Sequence, residues 1–403
     1  MARGVPDFAD GDAVFLAAAR TPFGRLGGAL SPLTAIDLGA RVIGEVVARA
    51  GLPGEAVDQV VMGTVIAAGL GQIPARQAAL AAGLPVGTSA LTVNKVCASS
   101  LKAVNLAAMM IRAGEAEIAV AGGMESMSNA PYLLPGARFG LRLGDAALVD
   151  AMQRDGLICP AGNCLMVNYG SDVAAEFEVS RELQDAWALR SQRRHAEALA
   201  AGRFAPEVVA VEVPAKRGEV ARVGVDEAPR PDSTAEGLAR LPALTPGGSV
   251  TAGNAPGVND GAAALLLASG RRARASGLPV LGVWRAQGES AEPVRYLATV
   301  PASSLQAALR KLGKAPGDLD LLEINEAFAA VAITATNLLG VDPERVNVNG
   351  GAVAVGHPIG ASGARILMTL LYELGRRGGG WGGAAICSGM AQGEATVVEA
   401  AAA

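Results

Sequence analysis

The chain of 403 residues is 51% apolar by the AVILMFWYC count and carries 34 basic against 38 acidic side chains, a net charge of −4. That length supports two or three domains with sizeable cores, and scattered Lys and Arg with a slight acidic excess argue against nucleic acid or an anionic membrane surface as a partner. Four cysteines, at 97, 159, 164 and 387, are too few for a disulfide framework at this size; with only His195 and His357 beside them, Cys159-Pro-Ala-Gly-Asn-Cys164 lacks the second ligand pair of a structural zinc site, so no metal is expected.

In chain order, Asp7, Asp10 and Asp12 precede a short apolar run at 13–19, which reads as a first strand and not as a secretory signal. No stretch of 18 or more apolar residues follows, and a cytoplasmic protein is expected. Apolar β-type runs at 14–16, 60–62, 90–96 and 118–121 alternate with helix-like stretches at 35–50 and 100–113. This is the α/β pattern of short buried strands and covering helices. Gly122-Gly123-Met124 closes the fourth strand. From about Glu125 to Ser249 the alternation stops, prolines are frequent, and only 181–201 reads as a helix; its basic cluster Arg190 to His195 reads as a solvated face.

The second half repeats the first in outline. Runs at 263–268, 321–325, 346–351 and 384–390 echo 14–19, 60–64, 91–96 and 120–124 in the same order, roughly 250 residues apart. A duplicated α/β unit follows: residues 1–124, completed by 250–275, form one half, 125–249 an inserted loop domain, and 276–403 the other half. Loops after equivalent strands would then meet on one face, where open α/β sheets bind ligands.

Asn94-Lys95-Val96-Cys97-Ala98-Ser99-Ser100 places one cysteine where a strand hands over to a helix. The free N–H groups and dipole of a helix N-terminus favour an anion by about 0.3–1 kcal/mol, which would bring a thiol from about 8.5 to roughly 7–8. Gly356-His357-Pro358-Ile359-Gly360 sets a histidine in a Gly-rich loop before a helix at 361–376, opposite Cys97 under the repeat, where an imidazole can take the thiol proton. Cys387 follows directly on a buried apolar run, and Asn325-Glu326 closes another; a core cysteine and a helix cap are the plainer readings of these two.

Taken together, the Cys97 box, Asn325-Glu326-Ala327-Phe328, Gly356 to Gly363, Cys387-x-Gly389 and Thr251-Ala252-Gly253-Asn254 resemble the thiolase family, nearest its acetyl-CoA C-acetyltransferase branch. The resemblance implies two βαβαβαββ halves with a loop domain inserted in the first. It implies Cys97 as the acyl-accepting nucleophile, His357 as its base and an oxyanion donor, and Cys387 as the acid/base for the second substrate. One oxyanion site would use His357 with a water held by Asn325, the other the N–H groups of Cys97 and Gly389. Coenzyme A thioesters would be substrates, with no cofactor, contacted by Arg230, Met166, Ala252, Pro256 and Phe328. A homo-oligomer, tetramer or dimer, is expected. Leu165 stands where the family often has histidine, Pro256 lies where it commonly has serine, and Met390 and Ala391 stand where it has glycine. Two alternatives remain open: a 3-ketoacyl-CoA thiolase of broader chain length in fatty-acid β-oxidation, and a Cys-dependent acyl-CoA hydrolase, which would leave Cys387 idle.

Overall fold

The computed structural model describes residues 4–215 and 218–403. The first half runs β1 (Ala13–Arg20), α1 (Ala35–Arg49), β2 (Gln59–Gly63), α2 (Pro74–Ala81), β3 (Ser89–Val93), α3 (Ser99–Ala113) and β4 (Ile118–Ser126), and is completed much later by β5 (Asn259–Ser269). The second half runs β6 (Gly282–Ala291), α6 (Val300–Arg310), β7 (Leu321–Ile324), α7 (Ala329–Leu339), α8 (Ser362–Arg376), β8 (Gly380–Ser388) and β9 (Gln392–Ala400). Between β4 and β5 lie short hairpins and two longer helices, α4 (Met166–Glu176) and α5 (Arg181–Ala200).

The sheet order is β7-β8-β9-β6-β1-β5-β4-β2-β3. The two halves are thus mirror sequences meeting at β1 and β6, which pair antiparallel only at Val14 with Val283 and Phe15 with Gly282. Within each half the central strands pair parallel and the completing strand antiparallel. This order corrects one of the four sequence echoes. Residues 263–268 belong to β5, which pairs with β1 along its length, so the counterpart of β1 is β6 and that of β5 is β9. Strands buried on both faces are apolar throughout, and one Ala/Leu run reads like another. A second echo is weaker than expected: of 346–351 only Val346 bridges, to Leu322.

Three apolar clusters define the layers. One seats α1 and α2 on the first half and another seats α6 and α7 on the second, while α3 and α8 pack on each other and on strands of both halves. Residues 96–113 are, by length and composition, apolar enough to cross a membrane, contrary to the sequence expectation. Leu101, Val104, Ala108 and Ile111 of this stretch are buried in the middle cluster, which is where the apolarity is used. The N-termini of α3 and α8 abut, with the Ser100 hydroxyl accepting the Ala364 N–H at 2.9 Å. Gly363 is needed there, because a Cβ would lie 2.6 Å from the Leu101 nitrogen.

β4 does not end at Met124 but runs to Ser126, carrying Glu125 into the interior without solvent exposure. One carboxylate oxygen accepts from the Thr64 hydroxyl (3.3 Å) and the Ile66 N–H (3.1 Å), the other from the Val65 (3.0 Å) and Gly360 (2.9 Å) N–H groups. Glu125 therefore ties the loop after β2 to the His357 loop of the other half. In the second half Glu326, also buried, accepts from Trp187 Nε1 (2.8 Å), Ser191 Oγ (2.9 Å), Asn347 Nδ2 (3.0 Å) and the Val353 N–H (3.0 Å). It ties α5 to the Asn347 loop and to the first turn of the short helix Ala352–Val355, and does not cap the helix that follows it in the chain. α5 is accordingly no solvated face: Gln192 and His195 are buried, with His195 stacked on Phe204 at 4.9 Å.

Glu125→Gln should lower stability by about 1–3 kcal/mol, because even with its nitrogen turned to the Thr64 hydroxyl the amide must face the Ile66 N–H donor. Thermal unfolding measures it. An unchanged midpoint would mean that the loops hold their places without this carboxylate.

Candidate active site

β3 ends at Val93, three residues short of the sequence expectation, so Asn94 to Ala98 form a turn before α3. Val96 sits at φ +45°, a left-handed conformation strained for a β-branched residue. The turn survives because its polar groups are answered within it: Asn94 Oδ1 accepts the Val96 N–H (3.0 Å), and Ser99 Oγ accepts the Lys95 N–H (2.8 Å) and donates to the Val96 carbonyl (2.6 Å). The result projects Cys97 into a cavity of about 330 Å³ that is also lined by His357, Cys387 and Gly389. Side chains more than 250 residues apart in the chain thus share one chamber, as the repeat predicts.

One side of Cys97 opens on the cavity, but protein encloses the sulfur. Burial pushes its thiol up to about 12, against the pull of the Cys97 and Gly389 N–H groups, and the nearby Glu125 adds to the rise. This reverses the expectation of a thiol lowered to 7–8: desolvation outweighs the helix terminus. The two N–H groups that favour the Cys97 thiolate are nevertheless those expected at an oxyanion site.

His357 is held at two points, its backbone and its ring. Its N–H donates to Asn259 Oδ1 (2.8 Å), whose amide nitrogen donates to the Gly24 carbonyl (2.8 Å), and its Nδ1 lies 2.6 Å from Ser362 Oγ. Ser362 sends its own proton to the Pro358 carbonyl (3.0 Å), so it accepts from Nδ1–H. That network fixes the tautomer and leaves Nε2, buried and without a protein partner, with a free lone pair. Burial, and secondarily Arg365, hold the ring down at about 3, so the imidazole is neutral at ordinary pH. Ser362 and Asn259 escaped the sequence reading. A serine five residues after a loop histidine, at the start of the following helix, was the available signal.

Cys387 is the last residue but one of β8, its thiol raised well above the usual range, first by burial and then by Cys97. The Ser388 hydroxyl donates to the Lys95 carbonyl at 2.5 Å, joining the two cysteine loops. Met390 and Ala391 sit at φ +63° and +47°; a turn that suits glycine is made here with side chains, against a cost of roughly 1–2 kcal/mol per residue. Asn325 is fully buried, and neither end of its amide has a partner among the described residues. It does not line the cavity itself.

Met166, Pro256 and Phe328 line the same cavity, along with Leu165, which takes part in its apolar wall. Arg230 and Ala252 line an adjoining cavity of about 240 Å³ together with Arg25, and Ala255 to Val258 form the wall common to both. All five residues expected to contact the substrate therefore lie along two adjoining cavities. The arrangement can accept an elongated molecule with a polar end near two guanidinium groups and a reactive end at two thiols and an imidazole.

With Cys97 and His357 both neutral, alkylation of Cys97 by iodoacetamide should keep rising from pH 7 to 10, because the thiolate fraction grows about tenfold per unit below its pKa. Mass spectrometry of the Cys97 peptide follows it. A plateau between pH 6 and 8 would instead reveal a preformed thiolate–imidazolium pair.

Residues 13–271 match the family model described as the thiolase N-terminal domain and residues 278–400 the one described as the thiolase C-terminal domain. The chain is 48% identical over 385 residues to an acetyl-CoA acetyltransferase of Pseudomonas aeruginosa, covering 95% of this chain and 98% of that protein. It is likewise 48% identical over 388 residues to an Escherichia coli acetyl-CoA acetyltransferase (96% and 98%), and 46% identical over 389 residues to one from Cupriavidus necator (96% and 99%).

Proposed function

The chain belongs to the thiolase family, and from that premise we propose that it is an acetyl-CoA acetyltransferase that condenses two acetyl-CoA to acetoacetyl-CoA and, in reverse, cleaves 3-ketoacyl-CoA. The observation that carries the reading is the convergence of Cys97, Cys387 and the free Nε2 of His357 on one largely apolar cavity. His357 Nε2 takes the Cys97 proton as the sulfur attacks the thioester carbon, and coenzyme A leaves with the proton of Cys387, so His357 stays protonated and Cys387 is left as a thiolate. The developing oxyanion lies against the N–H groups of Cys97 and Gly389; one such donor is typically worth about 2.7–4 kcal/mol. Cys387 then removes the α-proton of the second acetyl-CoA. The enolate oxygen is held by protonated His357 Nε2 and, through a water, by Asn325, whose amide has hydrogen bonds to give.

The adjoining cavity with Arg25 and Arg230 suits the nucleotide end of coenzyme A. No further cofactor enters this chemistry. We also propose a cytoplasmic homo-oligomer. Its support is the excursion after β4, where Phe139, Leu141 and Leu143 are exposed by 91%, 56% and 100%, an apolar run suited to a second copy.

Cys387→Ala separates the half-reactions: acyl transfer to Cys97 persists on the Cys97 peptide while condensation falls by about 10²–10⁴-fold, the range for a lost acid/base group. Unimpaired turnover would return Cys387 to a packing role, and free acid in place of acetoacetyl-CoA would favour the hydrolase.

The chamber favours short acyl chains, since about 330 Å³ lies at the lower end for ligand clefts and Leu165, Leu297 and Ile359 close its sides. With each buried CH₂ worth up to about 0.8 kcal/mol, an open tunnel would raise kcat/KM with chain length. Thiolysis of C4, C6, C10 and C16 substrates should show kcat/KM falling beyond C6. A C10 or C16 value tenfold above C4 would instead indicate a β-oxidation thiolase of broad range.

A further inference from the structure

Two cysteines take no part in this chemistry. Cys159 and Cys164 are direct partners across a small antiparallel hairpin, Ile158–Cys159 with Cys164–Leu165. Facing residues in such a ladder have Cα atoms about 4.5 or 5.5 Å apart, within the roughly 4.4–6.8 Å that a disulfide spans. The four residues between them close the turn with Asn163 at φ +46°. Both thiols are free, and the hydroxyl of buried Tyr169 lies beside the pair, so the two side chains converge on one point. Gly162 is required above that point, where a Cβ would collide with the Tyr169 hydroxyl and lie 3.3 Å from the Cys164 sulfur.

The hairpin touches the reaction chamber at two places. Leu165 and Met166, the next residues after Cys164, line its wall. Cys159 is buried with its sulfur 3.7 Å from Met390 Sδ, next to Gly389.

We propose that Cys159 and Cys164 are a modification site, a dithiol that closes to a reversible disulfide and thereby resets the wall of the acyl-CoA cavity. The oxidant is a low-molecular-weight disulfide. The half-buried Cys164 attacks as thiolate on one of its sulfurs, breaking that S–S bond and releasing one thiol. Buried Cys159 then attacks the Cys164 sulfur of the mixed disulfide, forming the internal bond and releasing the second thiol. Two electrons and two protons pass from the protein to the oxidant, and a dithiol reverses the exchange. Drawing the sulfurs together shifts both beside the Tyr169 hydroxyl and moves Cys159 away from Met390, so the change is felt at Leu165 and beside Gly389.

The full-length protein is treated with oxidised glutathione, quenched in acid, alkylated and digested with trypsin. Both cysteines fall in one peptide, residues 155–181. It should become about 2 Da lighter and refuse alkylation, and dithiothreitol should restore it. The KM for acetyl-CoA of the oxidised protein should shift at least threefold, and Cys164→Ser should abolish that shift. Glutathione on Cys97 would instead lower kcat by removing active molecules. Two alkylatable cysteines in the treated peptide, or a disulfide with unchanged KM, would overturn the proposal. The disulfide rests on the hairpin alone and the kinetic effect also on the thiolase reading, so the peptide mass tells the two failures apart.

Discussion

A carboxylate removed from water must be surrounded by donors or it pushes the protein apart, and the chamber is built around that requirement at Glu125. Its four donors come from the loop after β2 and from Gly360. Meeting the need of one side chain therefore fixes the His357 loop of the second half against the first. Burial still raises the carboxyl to about 7, so the donors offset desolvation only in part. Glu326 does the corresponding work in the second half, gathering α5, Asn347 and Val353. Two buried acids, one in each half, hold the ends of the strands in mutual register.

The same dryness sets the electrostatics of the reacting groups. Burial raises both thiols and lowers the imidazole, so the resting site stores no ion pair. In the proposed reaction a neutral Cys–His pair becomes charged only when an electrophilic carbonyl is in place to receive the electron pair and N–H groups are in place to receive the oxyanion. The helix N-terminus behind Cys97 is real, yet it contributes through the Cys97 N–H and not through a lowered resting pKa.

Departures from the family wording are absorbed by geometry. Ser388 uses its hydroxyl to bind the Lys95 carbonyl, and Met390 and Ala391 accept left-handed φ values that glycine would adopt freely. Strain of this kind persists only where the surroundings over-determine the backbone. Here β8 and β9 grip both sides of the turn, with Cys387 paired to Gly393 and Ser388 to Gln392.

What the sequence offered by itself was the alternation of strands and helices, the excursion after β4, and, through short motifs that resemble a family, Cys97, His357, Cys387 and Asn325 as candidates for one site, because apolar periodicity and short motifs are local properties; the first three do line one cavity. Which strand duplicates which was beyond it, since β5 and β1 carry similar apolar runs and only the ladder between them shows that they are neighbours and not equivalents. Also beyond it were Glu125, Asn259 and Ser362, whose partners lie on other elements or depend on a tautomer, and the burial that overrides the helix dipole at Cys97. Desolvation and hydrogen-bond satisfaction are sums over everything that surrounds an atom, and only the folded chain decides what surrounds it.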